Sequence, residues 1–391
     1  MLSTKSKLIF FILFYFFIII NPVAGDVFRA KKRTITDFSK MMPQLQVVDN
    51  QIFYLWEEQD ADSKWQIWTA SINADGTGWV AAKRTTSPSD KHFPQFQVDN
   101  GKIYFVWSEY ESSQMEIWTA IMNLNGTGWS PVKRTNTEVE KGQGQLQVLD
   151  GRVYLVWVEL DGENSQIWTA VMNTDGTGWS ATQRTTEASL KLTPQFQVYE
   201  DKIFLVWSED IDDHSQIRTA LLNTEGTGWS SAQRTFSSYN KRSPQLQVYQ
   251  GKIYYIWKEF DGSYWQLRIA WMNTDGTGWY SPGLSETAHS KDQPQMQIVD
   301  DHVYAVYCEN DGSYDQIWTA MIDLSLTDVR ALTKKRTSDA SDKPYPQLCT
   351  LGEKMHYIWS QYDGTYYQIW TATATDSAFS PGAVNLLLLN D

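Results

Sequence analysis

The amino-acid sequence predicts an all-β protein assembled from seven copies of one unit, and three observations support this prediction. A Pro-Gln or Gly-Gln phrase recurs at intervals of 50 to 52 residues, beginning at Pro43, Pro94, Gly144, Pro194, Pro244, Pro294 and Pro346. Each copy contains segments rich in β-branched and aromatic residues, which favour strands. Turn dipeptides such as Asn125-Gly126 follow the third segment, as in β-hairpins. Four short antiparallel strands in each of seven units are typical of a seven-bladed β-propeller, and an open solenoid with exposed edges is the weaker alternative.

The second copy shows how the four strands follow one another. They are predicted at 95–98, 102–109, 116–123 and 126–135. The second strand is apolar at every position from Ile103 to Trp107, so both of its faces should be covered by neighbouring blades. Sixteen of the 19 tryptophans fall into three repeated columns, which predicts that they pack the blades rather than form a ligand platform.

The first 25 residues have the layout of a secretory signal peptide. Lys5 and Lys7 precede an apolar run from Leu8 to Ile20, and small residues follow at 23–25. Because this run is shorter than the ~20 residues that span a bilayer, we expect cleavage, with an uncleaved anchor as the alternative. No later segment is apolar enough to cross a membrane. The mature chain, 26–391, is therefore predicted to be one exported propeller domain.

Composition and charge exclude several classes of protein. A hydrophobic content of 42% is too high for a disordered chain. The net charge is −13 and becomes more negative when the leader is removed, so binding to nucleic acid or to anionic lipid is disfavoured.

Two segments compete to close the ring. The phrase Lys32-Arg33-Thr34, within the possible closing strand at 26–42, matches the fourth-strand phrase Lys83-Arg84-Thr85. The C-terminal phrase 379–381 also resembles a fourth strand. The sequence leaves the choice open.

The hairpin phrase at 173–180, Asn-Thr-Asp-Gly-Thr-Gly-Trp-Ser, resembles the Asp-box, or bacterial neuraminidase repeat, of sialidase-like propellers. That box reads Ser-x-Asp-x-Gly-x-Thr-Trp, whereas the turn here is one residue shorter and begins with Asn. Copies six and seven depart further, at 323–328 and 376–379. In that family the box is a folding element on the face away from the active site, so the resemblance implies fold rather than activity. A calcium site in these turns is disfavoured, because one or two carboxylates cannot supply six to eight oxygens.

The resemblance also implies which residues a sialidase would need: three arginines that bind a carboxylate, a Tyr–Glu pair that acts as the nucleophile, and an Asp that acts as acid and base. The arginines here mostly occupy a repeated fourth-strand column, which a structural role explains, and Val27-Phe28-Arg29-Ala30 is the nearest match to the family's aromatic-Arg-Ile-Pro phrase. We therefore predict no catalytic residue. The five histidines lack the spacing of metal ligands, so no metal or cofactor is predicted.

Polar residues repeat on the face that should lie opposite the Asp-box-like turns. They either tie blades together by hydrogen bonds or form a ring of sites in which polar and aromatic groups bind sugars. The candidate ligand-binding residues are Glu58, Glu109, Glu159, Glu209, Glu259, Glu309, Gln95, Gln295, Tyr264, Tyr314 and Tyr366.

Four further residues break the repeat. Arg218 and Arg268 replace the third-strand tryptophan, and they either pair with Glu209 and Glu259 or form an anion-binding patch. Cys308 and Cys349 lie in adjacent copies, and their even number in an exported chain favours a disulfide over two free buried thiols. Asn125-Gly126-Thr127 is a glycosylation sequon if the secretory route is eukaryotic.

These features predict a non-catalytic binding propeller that recognises carbohydrate or another extracellular ligand on the polar face. The alternatives are a sialidase-like glycoside hydrolase with a degenerate site and a scaffold for extracellular proteins.

Overall fold

A computed structural model describes residues 28–111, 113–325, 331–352 and 354–374. All of its regular elements are strands, and among these residues no helix is long and apolar enough to cross a membrane. The predicted leader at 1–25 and the C-terminal phrase at 379–381 lie outside the described residues.

The strands form seven sheets. The chain begins with β1 (Arg29–Lys32). Blade 1 contains β2 (Lys40–Val48), β3 (Gln51–Gln59), β4 (Trp65–Asn73) and β5 (Val80–Lys83). Blade 2 contains β6 (Lys91–Asp99), β7 (Lys102–Glu111), β8 (Gln114–Asn123) and β9 (Ser130–Lys133). Blade 3 contains β10 (Gln145–Leu149), β11 (Arg152–Asp161), β12 (Asn164–Asn173) and β13 (Ser180–Gln183).

The remaining blades follow the same plan. Blade 4 contains β14 (Lys191–Tyr199), β15 (Lys202–Ile211), β16 (His214–Asn223) and β17 (Ser230–Gln233). Blade 5 contains β18 (Lys241–Tyr249), β19 (Lys252–Phe260) and β20 (Trp265–Asn273). Blade 6 contains β21 (Lys291–Val299), β22 (His302–Asn310), β23 (Asp315–Asp323) and β24 (Ala331–Lys335). Blade 7 contains β25 (Gln347–Leu351), β26 (Lys354–Tyr362) and β27 (Tyr367–Ala374).

The predicted architecture is confirmed: the protein is a seven-bladed β-propeller of antiparallel blades. Blade 5 alone lacks a continuous fourth strand among the described residues, and two isolated bridges, Arg268 with Gly283 and Trp271 with Tyr280, take its place. Pro282 lies between these bridges and has no backbone N–H to donate to a ladder, which explains the interruption.

The N-terminal strand completes blade 7. β1 pairs antiparallel with β27, from Arg29 opposite Thr373 to Lys32 opposite Trp370. Lys32 forms an ion pair with Asp363 at 2.7 Å, and Phe28 stacks on Trp359 with ring centroids 5.9 Å apart. The first and last blades in sequence therefore become neighbours, and β1 covers the edge that β27 would otherwise expose.

The core lies between blades rather than within them. Residues Ile103 to Trp107 of β7 are at most 2% exposed, as expected for a strand covered on both faces. Tyr104 and Val106 of blade 2 belong to one apolar cluster with residues of blade 3. Within a blade the tryptophan columns stack, as Trp107 does on Trp118 and on Trp129. The predicted packing role of these tryptophans is confirmed.

The Asp-box-like turns are closed by their own side chains. Asp175 Oδ1 accepts hydrogen bonds from the Thr177 amide at 2.9 Å and from the Thr177 hydroxyl at 2.6 Å. The fourth-strand arginines connect these turns to the preceding blade: Arg134 donates to the Gly176 carbonyl at 3.1 Å and lies over the Trp179 ring. The repeated arginine column therefore holds adjacent blades together.

Candidate functional site

Strand pairing brings the repeated polar residues to one face of the ring. Lys91, at the start of β6, lies opposite Glu109, near the end of β7. The turn from the second to the third strand of each blade lies at the same end, and the Asp-box-like turns lie at the other. We call the end that carries the repeated Glu residues the polar face.

The glutamates of this face are largely committed to bonds within their own blades. Glu109 is 6% exposed; its Oε2 accepts from Trp107 Nε1 at 3.0 Å and its Oε1 from the Ser87 hydroxyl at 2.7 Å. The ammonium of the fully buried Lys91 lies 3.5 Å from the same carboxylate. This arrangement satisfies a buried charge by an opposite charge and by hydrogen bonds.

A buried lysine with a carboxylate within 3.1 to 3.8 Å occurs in all seven blades, at Lys40, Lys91, Lys141, Lys191, Lys241, Lys291 and Lys343. Burial lowers the pKa of Lys91, and Glu109 opposes that shift. Lys91 also donates to the Ser87 and Ser89 carbonyls, which fixes the loop before each blade. Sequence reasoning missed this column, although its signal is plain: a lysine stands four residues before each first-strand glutamine.

Glu159 departs from this pattern and is half-buried, whereas Glu259 is also half-buried but keeps its buried lysine, Lys241, at 3.8 Å. Glu159 accepts from Trp157 at 3.0 Å, while Lys141 lies 3.1 Å from Glu116 instead. Burial raises the pKa of Glu159.

The two exceptional arginines have carboxylate partners. Arg218 Nη1 lies 3.3 Å from both oxygens of Glu209, and Arg268 Nε lies 3.4 Å from Glu259 Oε1. Lys258, which is near them in sequence, forms an ion pair with Asp292 at 2.6 Å. These contacts favour the pairing interpretation over an anion-binding patch.

The first-strand glutamines surround a central cavity of about 220 Å³. No described residue forms a hydrogen bond with the side chain of any of the seven, which are Gln44, Gln95, Gln145, Gln195, Gln245, Gln295 and Gln347. The next glutamine along each strand behaves differently. Gln147 donates to the Phe196 carbonyl at 3.0 Å and accepts from the Val198 amide at 2.7 Å, and so ties blade 3 to blade 4.

The residue before each of these Pro-Gln or Gly-Gln phrases lines the same cavity. In six blades its backbone has a positive φ of 49 to 60°, a conformation that costs a non-glycine residue roughly 1–3 kcal/mol. The identity of this residue changes around the ring. Blades 7, 1 and 2 contribute Tyr345, Met42 and Phe93, whereas blades 3 to 6 contribute the polar residues Gln143, Thr193, Ser243 and Gln293. The cavity therefore has an apolar, aromatic side and a polar side.

The three candidate tyrosines lie in turns of the polar face and are not among the residues that line the central cavity. Asp261 Oδ1 accepts from the amides of Ser263 and Tyr264, and Asp311 and Asp363 hold Tyr314 and Tyr366 in the same way. Tyr264 and Tyr314 are 38% and 37% exposed. Amide hydrogen bonds, together with Lys335, lower the pKa of Asp311 to about 2.

The expected disulfide is not formed. Cys308 and Cys349 are both free and buried. Cys308 Sγ lies 3.1 Å from the Lys343 carbonyl oxygen, whereas Cys349 packs beside Leu45 and Ile358 in the apolar cluster between blades 7 and 1. The two thiols thus face different partners, and burial raises the pKa of each.

Comparisons with known proteins identify the fold alone. No protein-family model matches the chain, and no curated protein matches it. An ulvan lyase of polysaccharide lyase family PL25, bound to -[GlcA(1-4)Rha3S]-, is similar with a TM-score of 0.61 and 10% identity, over 86% of this chain and 93% of that chain. The endosialidase of phage phi92 has a TM-score of 0.54 and 12% identity, over 89% and 69%. A Trypanosoma rangeli sialidase in complex with sialic acid has a TM-score of 0.51 and 10% identity, over 89% and 55%.

Proposed function

We propose that the protein is an exported, non-catalytic propeller that binds carbohydrate at the central cavity of its polar face. The observation that carries this proposal is the ring of seven glutamine side chains without a hydrogen-bond partner among the described residues, beside Phe93 and Tyr345. A carboxamide both donates and accepts hydrogen bonds, as a sugar hydroxyl does. An aromatic ring offers an apolar surface next to these polar groups, which is the usual composition of a small-molecule site.

The size of the cavity limits what it can receive. About 220 Å³ is below the ~300–1,000 Å³ of most ligand pockets. We therefore expect one terminal sugar ring to enter, rather than an internal stretch of a polymer.

The lining of the cavity supports binding without catalysis. It contains no Asp, Glu, His, Lys or Arg, so it offers neither the pair of carboxylates that most glycoside hydrolases use nor a cationic clamp. The glutamates nearby in sequence, such as Glu109, are held by buried lysines. The leader at 1–25 supports export, and the similar structures of a ulvan lyase, an endosialidase and a sialidase support carbohydrate as the ligand class.

The test is a glycan array with residues 26–391, together with a fluorogenic sialoside assay on the same preparation. We expect binding to at least one glycan and no turnover. Replacing both Gln95 and Gln295 with Leu, which keeps their size but removes hydrogen bonding, should weaken binding at least tenfold. The Tyr264→Ala variant, changed on the same face but outside the cavity, should bind as the wild type does.

Three results would contradict the proposal. Turnover would favour the hydrolase alternative, and the absence of any glycan binding would favour the protein scaffold. Equal binding by the wild type and the double glutamine variant would place the ligand outside the central cavity.

A further inference from the structure

A second cavity, of about 650 Å³, lies where the ring closes between blade 7 and blade 1. It is lined by β1, β26 and β27 of blade 7 and, in blade 1, by apolar residues of β3 and β4 and the turn at 73–76. That turn is one of the Asp-box-like turns, so this cavity lies away from the polar face. We call it the seam cavity.

One repeated position that lines the seam cavity carries a smaller side chain in blade 7 than in the other blades. His356 lines the seam cavity, and the other six blades carry a larger aromatic ring at that position: Phe53, Tyr104, Tyr154, Phe204, Tyr254 and Tyr304. The equivalent cavity between blades 1 and 2, which is lined by Phe53, is smaller, at about 450 Å³, as expected where a larger ring packs the interface.

The seam cavity is basic although the protein as a whole is acidic. Arg29, Lys31, Arg33 and Lys354 line it, against a single carboxylate, Asp75. Arg29, Lys31 and Lys354 are exposed and form no ion pair with any described residue. The matching fourth-strand positions of blades 1 to 4 are uncharged, for example Ser230 and Ala232 in place of Arg29 and Lys31. Asp75 is engaged by Thr77, whose amide and hydroxyl both donate to its Oδ1.

The guanidinium of Arg33 also differs from its counterparts. Arg84 donates to the Gly126 carbonyl of the next blade at 3.0 Å, as Arg134 does to Gly176. Arg33 donates through Nε to the Thr371 hydroxyl at 2.7 Å but makes no such bond to Gly76. Its terminal nitrogens therefore retain donors that the arginines of blades 1 to 4 use to hold the next blade.

His356 supplies an unsatisfied polar group inside the cavity. His356 is only 4% exposed. Its Nδ1 lies 3.4 Å from the Thr373 hydroxyl, and its Nε2 has no hydrogen-bond partner among the described residues. A buried polar atom without a partner destabilises the protein, and a ligand that bonds to it would remove that cost. Burial, with Lys354 nearby, lowers the pKa of His356 to about 4, so the ring is neutral at pH 7.

We propose that the seam cavity is a binding site for an oxyanion, a carboxylate or sulfate group, contacted by Arg29, Lys31, Arg33 and Lys354 and by the imidazole of His356. Several cations around one cavity favour such a group through charge-assisted hydrogen bonds. A volume of about 650 Å³ also accommodates the organic part of a ligand of sugar size. The site is on a different face from the central cavity, so this proposal does not depend on the proposed function.

Isothermal titration calorimetry with sodium sulfate, sodium glucuronate and glucose, at constant ionic strength, tests the proposal. We expect heat of binding with at least one of the two anions and none with glucose. The Arg29→Ser/Lys31→Ala double variant, which reproduces the uncharged strand of blade 4, should lose at least tenfold in affinity. Lys354→Ala should also bind more weakly, whereas Lys202→Ala, changed at the matching position of blade 4, should bind as the wild type does.

His356→Phe gives a second measurement, because Phe occupies this position in blades 1 and 4 and should fold there. It should remove the Nε2 group and narrow the cavity, and so weaken binding at least tenfold, while circular dichroism stays unchanged; the equivalent cavity between blades 1 and 2, with Phe53 at this position, is about 450 Å³. Should this variant fail to fold, the exposed Arg29/Lys31 pair still decides the question. Sulfate binding alone would identify an inorganic oxyanion as the ligand, and glucuronate binding would identify a sugar acid. No binding of either anion, or equal affinity in the wild type and the Arg29/Lys31 variant, would overturn the proposal.

Discussion

At the scale of single residues, blade 7 shows what the repeated lysine requires. Gln361 stands there where each of the other six blades has a glutamate, and Lys343 pairs with the carboxylate of Asp339, in the preceding loop, at 3.1 Å. Gln361 still accepts from Trp359 at 3.0 Å and donates to Asp339 at 2.6 Å. The buried lysine therefore needs one nearby carboxylate, which either the strand or the loop can provide.

We predict that Glu109→Gln destabilises the protein by about 3 kcal/mol, because it leaves the charge of Lys91 buried without its counter-ion. Ser87 occupies the position that Asp339 holds in blade 7. The double variant Ser87→Asp/Glu109→Gln should therefore recover most of the loss. Urea unfolding measures both. A double variant no more stable than Glu109→Gln would contradict this explanation of blade 7.

His356 predicts a dependence of stability on pH. The unfolded imidazole takes up a proton near its usual pKa of about 6.5, whereas the folded one does so only near 4. The unfolded state thus binds more protons between these values, so stability falls as the pH decreases from about 6.5 to about 4. From pH 7 to about pH 4.5, the wild type should lose about 2 kcal/mol more than His356→Phe, in which this group is absent. Equal losses in urea unfolding would show that His356 is readily protonated in the folded state.

At the scale of elements, ring closure depends on a strand of only four residues. The Arg33 amide donates to the Ile369 carbonyl at 2.8 Å. Because alternate residues of an antiparallel strand bond to the same neighbour, the Lys31 amide also faces β27, and the Ala30 amide faces outward.

Proline at these two adjacent positions should therefore have unequal effects. Lys31→Pro removes a hydrogen bond of the closing strand and should cost about 1–3 kcal/mol. Ala30→Pro removes an outward N–H and should cost much less, since an edge strand tolerates proline there. Thermal unfolding of the two variants measures the difference. Equal destabilisation would mean that the register of β1 differs from the one described.

At the scale of the whole molecule, the blade interfaces are not equivalent. A glutamine amide ties each of blades 1 to 5 to the blade that follows. The corresponding residue of blade 7 is Cys349, and the Oε1 of the corresponding Gln297 in blade 6 has no partner. The seam between blades 7 and 1 also lacks an arginine-to-turn bond like the one from Arg84 to Gly126.

We predict that this seam opens before the other interfaces. Local opening exposes the amides that have the fewest supporting contacts, so β1, β2 and β25 should exchange hydrogen for deuterium faster than β10 and β14. Hydrogen–deuterium exchange followed by mass spectrometry makes the comparison. Uniform protection across all seven first strands would contradict it.

The candidate site shows which cavity residues the sequence could predict and which it could not. Gln95 and Gln295 were among the predicted ligand-binding residues, and both line the central cavity. Glu109 was predicted by the same periodic argument, but its carboxylate is held by Lys91 and Trp107. A repeated polar residue can face a ligand or a neighbouring strand, and only the pairing of β6 with β7 distinguishes the two.

The sequence by itself determined the number of blades, the order of strands and the packing role of the tryptophans, because these follow from a period of about 50 residues and from local alternation of side chains. Tertiary structure decided what depends on contacts between distant residues: the closure by β1, the free thiols, the buried lysines and the seam cavity. Arg29 and His356 are 327 positions apart in the chain, and they line one cavity only because closing the ring makes the first and last blades neighbours.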